Sequence, residues 1–402
     1  MAESVATPAT APVVIVGGGF GGLYTALALA ARRQHPPILL IEPNDRFLFL
    51  PLLYELLSGE LRSWEIAPRY DTLLAGKGVA WLQDRVVRID TETSRVHTAT
   101  GRELAYSQLV IATGAQSNSF GIPGVAEHSL GFRTLADVER LQRLIHSLKE
   151  RARPLQRLAV VGAGASGVEL ACKLADQLQG SAIVEVIEQG PGLLPQAKAF
   201  NREQADRALQ RRDVRLRTHT HVEAVEADGL ALQGPGGPER LSVDGVIWTA
   251  GLRFQAPELS PAAPTALGAT RATDRLGRLI CEPTLQLRNH PHVFALGDIA
   301  HVDAEDGEQA LPATAQVAFQ QAECLAGNLL KSLAKEPLEP FHYNDLGEMM
   351  SLGEGEASLT GGGFTLAGAA AFQIRKLAYL TRLPGPSHQL KVAAGWLADW
   401  PR

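Results

Sequence analysis

Cysteine is nearly missing from this chain. Cys172, Cys281 and Cys324 lie far apart and none forms a C-x-x-C pair. That excludes a disulfide framework and makes a reducing compartment the expectation. No run of 18 apolar residues occurs, so no segment reads as a membrane-spanning helix. An excess of positive charge is also lacking: Lys and Arg number 38 against 43 Asp and Glu, for a net charge of −5. A nucleic-acid partner is therefore not expected, because phosphate contacts need a basic surface. The first residues, MAESVATPATAP, have neither a positive start nor an apolar stretch and are too short for a transit peptide, so they read as a disordered lead. The clusters His219–His221 and His290–His292 have no third or fourth ligand placed by spacing, so no metal site is expected. Glu305–Glu308 reads as a solvated loop. What remains is a globular composition, 45% apolar and 20% charged, on 402 residues, a length that suits two or three domains.

Two stretches share one grammar. VVIVGGGFGGLYTALALA, from Val13 to Ala30, is a short apolar run, then Gly17-x-Gly19-x-x-Gly22, then an Ala/Leu-rich helix from about Leu23 to Arg32. LAVVGAGASGVELACKLA, from Leu158 to Ala175, repeats it with Gly162-x-Gly164-x-x-Gly167 and a helix from about Ser166 to Gln179. In such a turn the first glycine allows the tight reversal and the second lets a pyrophosphate approach the backbone. The third lets helix and strand pack closely. The helix N-terminus then offers free N–H groups and the positive end of its dipole. In each copy the next strand ends in an acid, Glu42 or Glu188, about 20 residues past the last glycine, where a carboxylate can accept from ribose hydroxyls. LVIATGA, with Thr113 and Gly114, and DGVIWTAGL, with Gly251, echo each other as strands ending near T-G or A-G. The fold class expected is α/β, with two tandem Rossmann-like dinucleotide-binding domains. Val79–Asp90 and Arg95–Ala99 read as antiparallel strands, Leu135–Glu150 as a charged helix, Gln255–Ala272 as loop and Thr314–Leu333 as a helix.

Two cradles imply two dinucleotides, and the natural pair is FAD with NADH or NADPH: hydride moves from nicotinamide to flavin and the electrons then leave to an acceptor. Gly297 and Asp298, at the end of HVFALGDIA, suit the ribityl hydroxyls of an FAD held by the first copy. Glu188 favours NADH, since a carboxylate repels a 2′-phosphate, unless Arg211 or Arg212 approaches. A disulfide-reductase chemistry would need a cysteine pair beside the flavin, and this chain has none.

The segments GGGFGGLYTALAL, FLFLPLLYELLSGE, YSQLVIATGAQSNSFGIPGV, VVGAGASGVELA, FALGDIA and ATAQVAFQQAE together resemble the type II NAD(P)H:quinone oxidoreductases, from about Val13 to Leu352. The C-terminal text IRKLAYLTRLPGPSHQLKVAAGW resembles their cyanobacterial and plastid branch, which is associated with demethylphylloquinone and related prenyl quinones. The resemblance implies a pyridine nucleotide-disulfide oxidoreductase-like fold with FAD on Gly17, Gly19, Phe20, Gly22, Glu42, Thr113, Gly114, Gly297 and Asp298. The nicotinamide coenzyme would fall on Gly162, Gly164, Gly167, Glu188 and Gly251. It sets the quinone-site motif on Ala315, Gln316, Ala318, Gln320 and Gln321, and Pro51 and Leu52 near the flavin and quinone channel, where an apolar core loop is an equal reading. Gln316 and Gln320, four apart, would present two amides on one helix face to quinone carbonyls. Glu169, in the first turn after Gly167, would serve near the nicotinamide and in proton coupling, with simple helix capping as the rival role.

The domain division expected is 11–125 with 282–343 for FAD, 126–281 for NAD(P)H as an insertion, and 344–402 as a membrane or dimer segment. In that last segment Ala370, Ile374, Leu377 and Ala378 share a face, as do Ala393, Ala394, Leu397 and Trp400. Arg375, Lys376, Arg382 and Lys391 flank them, and Trp396 and Trp400 suit interfacial anchors. The same face could pack on the protein's own core or on a second copy, as relatives dimerise through this end. The protein is thus expected on the cytoplasmic side of a membrane, thylakoid or plasma, as a peripheral enzyme that does not pump protons. Rival readings are a redox-sensing interaction protein that binds FAD and NADH, and a ferredoxin- or rubredoxin-type reductase.

Overall fold

The computed structural model describes residues 11–151, 153–260, 273–304 and 310–398. Most of the expected N-terminal lead, residues 261–272 of the expected Pro/Ala-rich loop, the acidic run Glu305–Glu308 and Trp400 lie outside the described residues. The elements that bear on the site are, in chain order, β1 (Val13–Val16), α1 (Phe20–Ala30), β2 (Ile38–Ile41), α2 (Leu53–Leu57), α3 (Ser63–Ile66), β3 (Val79–Leu82) and β4 (Gln108–Ile111). Then follow α4 (Leu135–Arg151), β5 (Arg157–Val161), α5 (Ala165–Leu178), β6 (Ile183–Ile187), β7 (Arg215–Arg217), β8 (Gly245–Trp248), β9 (Val293–Ala295) and α6 (Ala315–Ala334). The chain closes on β10 (Glu348–Ser351), β11 (Ala357–Gly361), β12 (Phe364–Gly368), α7 (Ala369–Leu380) and α8 (Pro386–Ala398).

Two compact units emerge. The first comprises residues 1–47, 68–116 and 253–344. Its centre is a five-stranded sheet in the order β9-β4-β1-β2-β3, with every pair parallel. Every residue of β1 and β4 is buried, which is why these strands are short unbroken runs rather than alternating ones. β3 corrects the sequence expectation. Val79–Leu82 is the parallel fifth strand, and only Val86–Asp90 turns antiparallel, against Arg95–Thr98. A short apolar run says nothing of its partner's direction; that is set by which sheet edge is open.

The second unit comprises residues 48–67, 117–252 and 345–402. It repeats the pattern as a parallel sheet in the order β7-β6-β5-β8. The glycine-rich stretch after residue 347 folds as an antiparallel sheet, β10-β11-β12, and Ala357, Ala371 and Phe372 form a small core between β11 and α7. The stretch Leu48–Ala67 packs in this unit, although the sequence division ran FAD-binding residues continuously through it. Ion pairs described below account for that placement.

Candidate functional site

The two glycine turns are built alike. Gly17 and Gly162 have φ of +100° and +103°, a backbone that side chains rarely adopt. A Cβ on Gly22 would lie 1.8 Å from the Gly17 carbonyl oxygen, and one on Gly167 would lie 1.9 Å from that of Gly162, so only glycine permits either helix to close on its strand. A Cβ on Gly19 or Gly164 would meet nothing within 4 Å, which leaves the middle of each turn open for a close approach. Neither α1 nor α5 has a side-chain N-cap bond, so their first N–H groups are not taken by a cap. The terminal acids brace the turns. Glu42 Oε2 accepts the Gly18 N–H at 2.7 Å and its Oε1 accepts the Asn44 N–H at 2.9 Å. Glu188 does the same with the N–H groups of Ala163 and Gly190, both at 2.7 Å. In the first unit Tyr70 also donates to the Gly18 carbonyl at 2.8 Å, a support that sequence spacing did not reveal. Phe20 opens α1 and meets Phe47 edge-on. Thr113 Oγ1, just past β4, is buried without a protein partner, and Gly114 beside it faces open space. Together these features fit a dinucleotide in each turn.

Gly297 and Asp298 form a short 3-10 turn after β9. The Gly297 N–H donates at 2.8 Å to Oε1 of Gln321, a fully buried residue of α6. Gln321 therefore braces the turn. Gln316 is half-buried in the first turn of α6, which Thr314 caps through the Val317 N–H. Gln320 lies on the same helix, but its amide is engaged at both ends by Asn344: Nε2 donates to the Asn344 carbonyl at 2.9 Å and Oε1 accepts the Asn344 N–H at 3.0 Å. That use was invisible from the four-residue spacing.

Glu169 departs from its expected setting. It is the fifth residue of α5, beyond the first turn, and does not cap the helix. Its carboxyl is buried, 8% exposed, and Oε1 accepts the Ser351 N–H at 2.7 Å. Burial raises its pKa to about 7, against the opposing pull of Arg375 and the Ser351 N–H. Arg375 is 1% exposed, which corrects its expected place among surface cations. It pairs with buried Glu55, donates to the Pro51 carbonyl at 2.7 Å, lies 3.9 Å from Glu169 and sits over the Tyr379 ring. Burial also holds the Tyr54 hydroxyl, beside Glu169, well above its usual range. Four residues down α5, Lys173 is fully buried and pairs with Glu60. These pairs fasten α2, α5 and α7 together and explain why Leu48–Ala67 belongs to this unit.

A family model described as pyridine nucleotide-disulphide oxidoreductase matches residues 11–322. Demethylphylloquinone reductase of Synechocystis sp. is 40% identical, over 98% of each chain. A type II NADH:quinone oxidoreductase of Mycobacterium tuberculosis is 31% identical, over 96% of this chain and 86% of that one. The fold matches that of NDH2 from Plasmodium falciparum in complex with NADH, with a TM-score of 0.84 at 18% identity, over 97% of this chain and 98% of that one. The chain belongs to the type II NAD(P)H:quinone oxidoreductases.

No two cysteines of this chain form a C-x-x-C pair. Cys172 and Cys281 are each buried, and burial pushes both thiols up to about 12. The two arginines that the sequence offered as partners for a 2′-phosphate pair with acids instead: Arg212 with Asp176 and Glu356, Arg211 with Glu356. In the C-terminal segment of this oxidoreductase, Ile374, Leu377, Leu390 and Leu397 are exposed, at 43%, 60%, 72% and 75%. Trp396 is not the free anchor its sequence suggested. Its indole N–H donates to Glu65 of α3 at 2.9 Å, and Lys376 lies over its ring at 4.3 Å. Lys391 stacks likewise over Trp64. No described helix is long and apolar enough to cross a membrane.

Proposed function

We propose that this oxidoreductase carries two electrons from NADH through FAD to a prenyl quinone held in a membrane, and that a naphthoquinone of the demethylphylloquinone type is among its substrates. The observation that carries the reading is the duplicated glycine turn, each with an open middle, an uncapped helix and a braced acid. In this reading the first unit serves FAD, with Gly17, Gly19, Phe20, Gly22 and Glu42 under its adenosine and pyrophosphate. Thr113, Gly114, Gly297 and Asp298 lie along the remainder. The second unit serves the nicotinamide coenzyme through Gly162, Gly164, Gly167, Glu188 and Gly251. When bound, the two coenzymes supply hydride transfer and two-electron release.

The chain's own part is to bind, orient and hold protons. The N-termini of α1 and α5 offer N–H groups to pyrophosphate. Glu188 accepts from ribose hydroxyls and, with Arg211 and Arg212 occupied, disfavours NADPH. Gln316 donates to a quinone carbonyl, and Gln320 keeps one amide hydrogen for the same purpose while holding Asn344. The balance NADH + H⁺ + quinone → NAD⁺ + quinol calls for one proton beyond the hydride. Glu169, titrating near neutrality, is the carboxyl suited to hold it. The exposed apolar residues of α7 and α8, with Lys376 and Lys391 beside them, would rest on anionic lipid at the cytoplasmic face as a peripheral contact. A homodimer through the same end is compatible with part of that face.

The test is to purify the protein with its flavin. NADH and NADPH are then compared against naphthoquinones and benzoquinones, with and without anionic vesicles. Yellow protein, NADH preference and faster turnover of long-tailed quinones on vesicles are expected. Colourless protein that takes up no FAD on reconstitution overturns the proposal. Stopped-flow mixing separates the role of Glu169: Glu169→Gln should slow flavin reduction while NADH still binds, and an unchanged rate removes Glu169 from the mechanism.

A further inference from the structure

Phe120 stands in the loop that follows Asn118, and its backbone has a φ of 53°. A bulky side chain holds that left-handed conformation only where its surroundings impose it, and such residues collect at ligand sites. Burial does not account for it, since the residue is 59% exposed. The constraint is local. Asn118 Oδ1 accepts the Phe120 N–H at 2.9 Å, and the Asn118 carbonyl accepts the Trp248 indole N–H at 2.9 Å. The Asn118 N–H in turn donates to the Gly251 carbonyl at 3.3 Å. The ring is thus tethered to the end of β8.

Its place matters more than its strain. The far edge of the ring abuts Gly251: a Cβ there would fall 2.2 Å from Phe120 Cζ and 2.4 Å from Cε2. The segment Thr249–Gly251 flanks the second glycine turn, with Thr249 Oγ1 donating to the Val161 carbonyl at 2.8 Å and Ala250 backing Gly162. In the order β7-β6-β5-β8, strand β6 leads to Glu188 on one side of the turn and β8 leads to Gly251 on the other. A dinucleotide across the carboxyl ends of such a sheet sets its pyrophosphate at the turn and its halves to either side. With the adenosine ribose on Glu188, the nicotinamide half falls on the β8 side, beside the exposed Phe120 ring.

We propose that Phe120 is a nicotinamide-stacking residue, a ring fixed at the end of β8 to receive and orient the reactive half of the coenzyme. The inference rests on the second glycine turn being the NAD(P)H site. Offset stacking between two aromatic rings is worth about a tenfold change in affinity. Calorimetric titration of the FAD-loaded protein with NAD⁺ and, separately, with ADP-ribose tests it, because ADP-ribose lacks the nicotinamide. Phe120→Ala should weaken NAD⁺ about tenfold and leave ADP-ribose unchanged, and Phe120→Tyr should restore NAD⁺ binding. Phe120→Leu carries the same comparison if the alanine variant does not fold. Equal weakening of both ligands, or no change in either, overturns the proposal. The parent reading has its own control: wild-type protein that binds neither ligand, or Glu188→Ala that leaves ADP-ribose affinity intact, would remove the site itself, whatever Phe120 does.

Discussion

Replacing Glu169 by glutamine should make the protein more stable relative to wild type as pH rises. The carboxyl is 8% exposed and faces Tyr54 and Glu55 of α2, Arg375 and Tyr379 of α7 and the Ser351 N–H. Burial outweighs the opposing guanidinium and raises the pKa from 4.5 in a free chain to about 7. Between those values the unfolded chain has released a proton that the folded protein still holds, so folding stability falls as pH rises through this window and then levels off. The rise in pKa corresponds to about 3 kcal/mol in all. Glutamine has no such proton, keeps an oxygen for the Ser351 N–H and leaves Glu55 as partner to Arg375. Urea unfolding of both proteins from pH 4.5 to 8.5 isolates the difference, because every other titrating group is common to both. The glutamine variant should gain about 3 kcal/mol on wild type across that range, most of it below pH 7. A flat difference, or a variant that loses ground above pH 7, refutes the argument that Glu169 is held protonated by burial.

The two glycine turns separate the cofactors. Gly22→Ala sets a Cβ 1.8 Å from the Gly17 oxygen and should yield protein without flavin, seen by its absorbance after purification. Gly167→Ala makes the same clash in the second turn and should keep the flavin but lose NADH binding, read by titration. Arg375→Met leaves Glu55 and Glu169 buried with no counter-charge and should cost about 3–5 kcal/mol, measured by urea unfolding at pH 8. Ile374→Asp with Leu377→Asp alters exposed positions only. It should abolish sedimentation with anionic vesicles while turnover of a short-chain, water-soluble quinone stays near wild type.

Much of this was legible along the chain because it is local. A glycine turn, its strand and its helix are contiguous, and the closest steric demands on Gly22 and Gly167 arise five residues back, at the Gly17 and Gly162 carbonyls. The helices of both repeats and α6 fall within about three residues of their expected ends for the same reason.

What the amino-acid order alone determined, then, is the pair of turns, their acids and the buried strands that lead into them, since short-range sterics and apolar runs specify those directly. Tertiary structure decided the rest. Glu55, Glu169 and Arg375 are remote in sequence and become one buried cluster only when α2, α5 and α7 meet. Arg375 reads as a surface cation in its own helix, and Trp396 as a membrane anchor, until Glu55 and Glu65 arrive from elsewhere as their partners. Charge and burial depend on what is packed alongside, and no spacing rule carries that information.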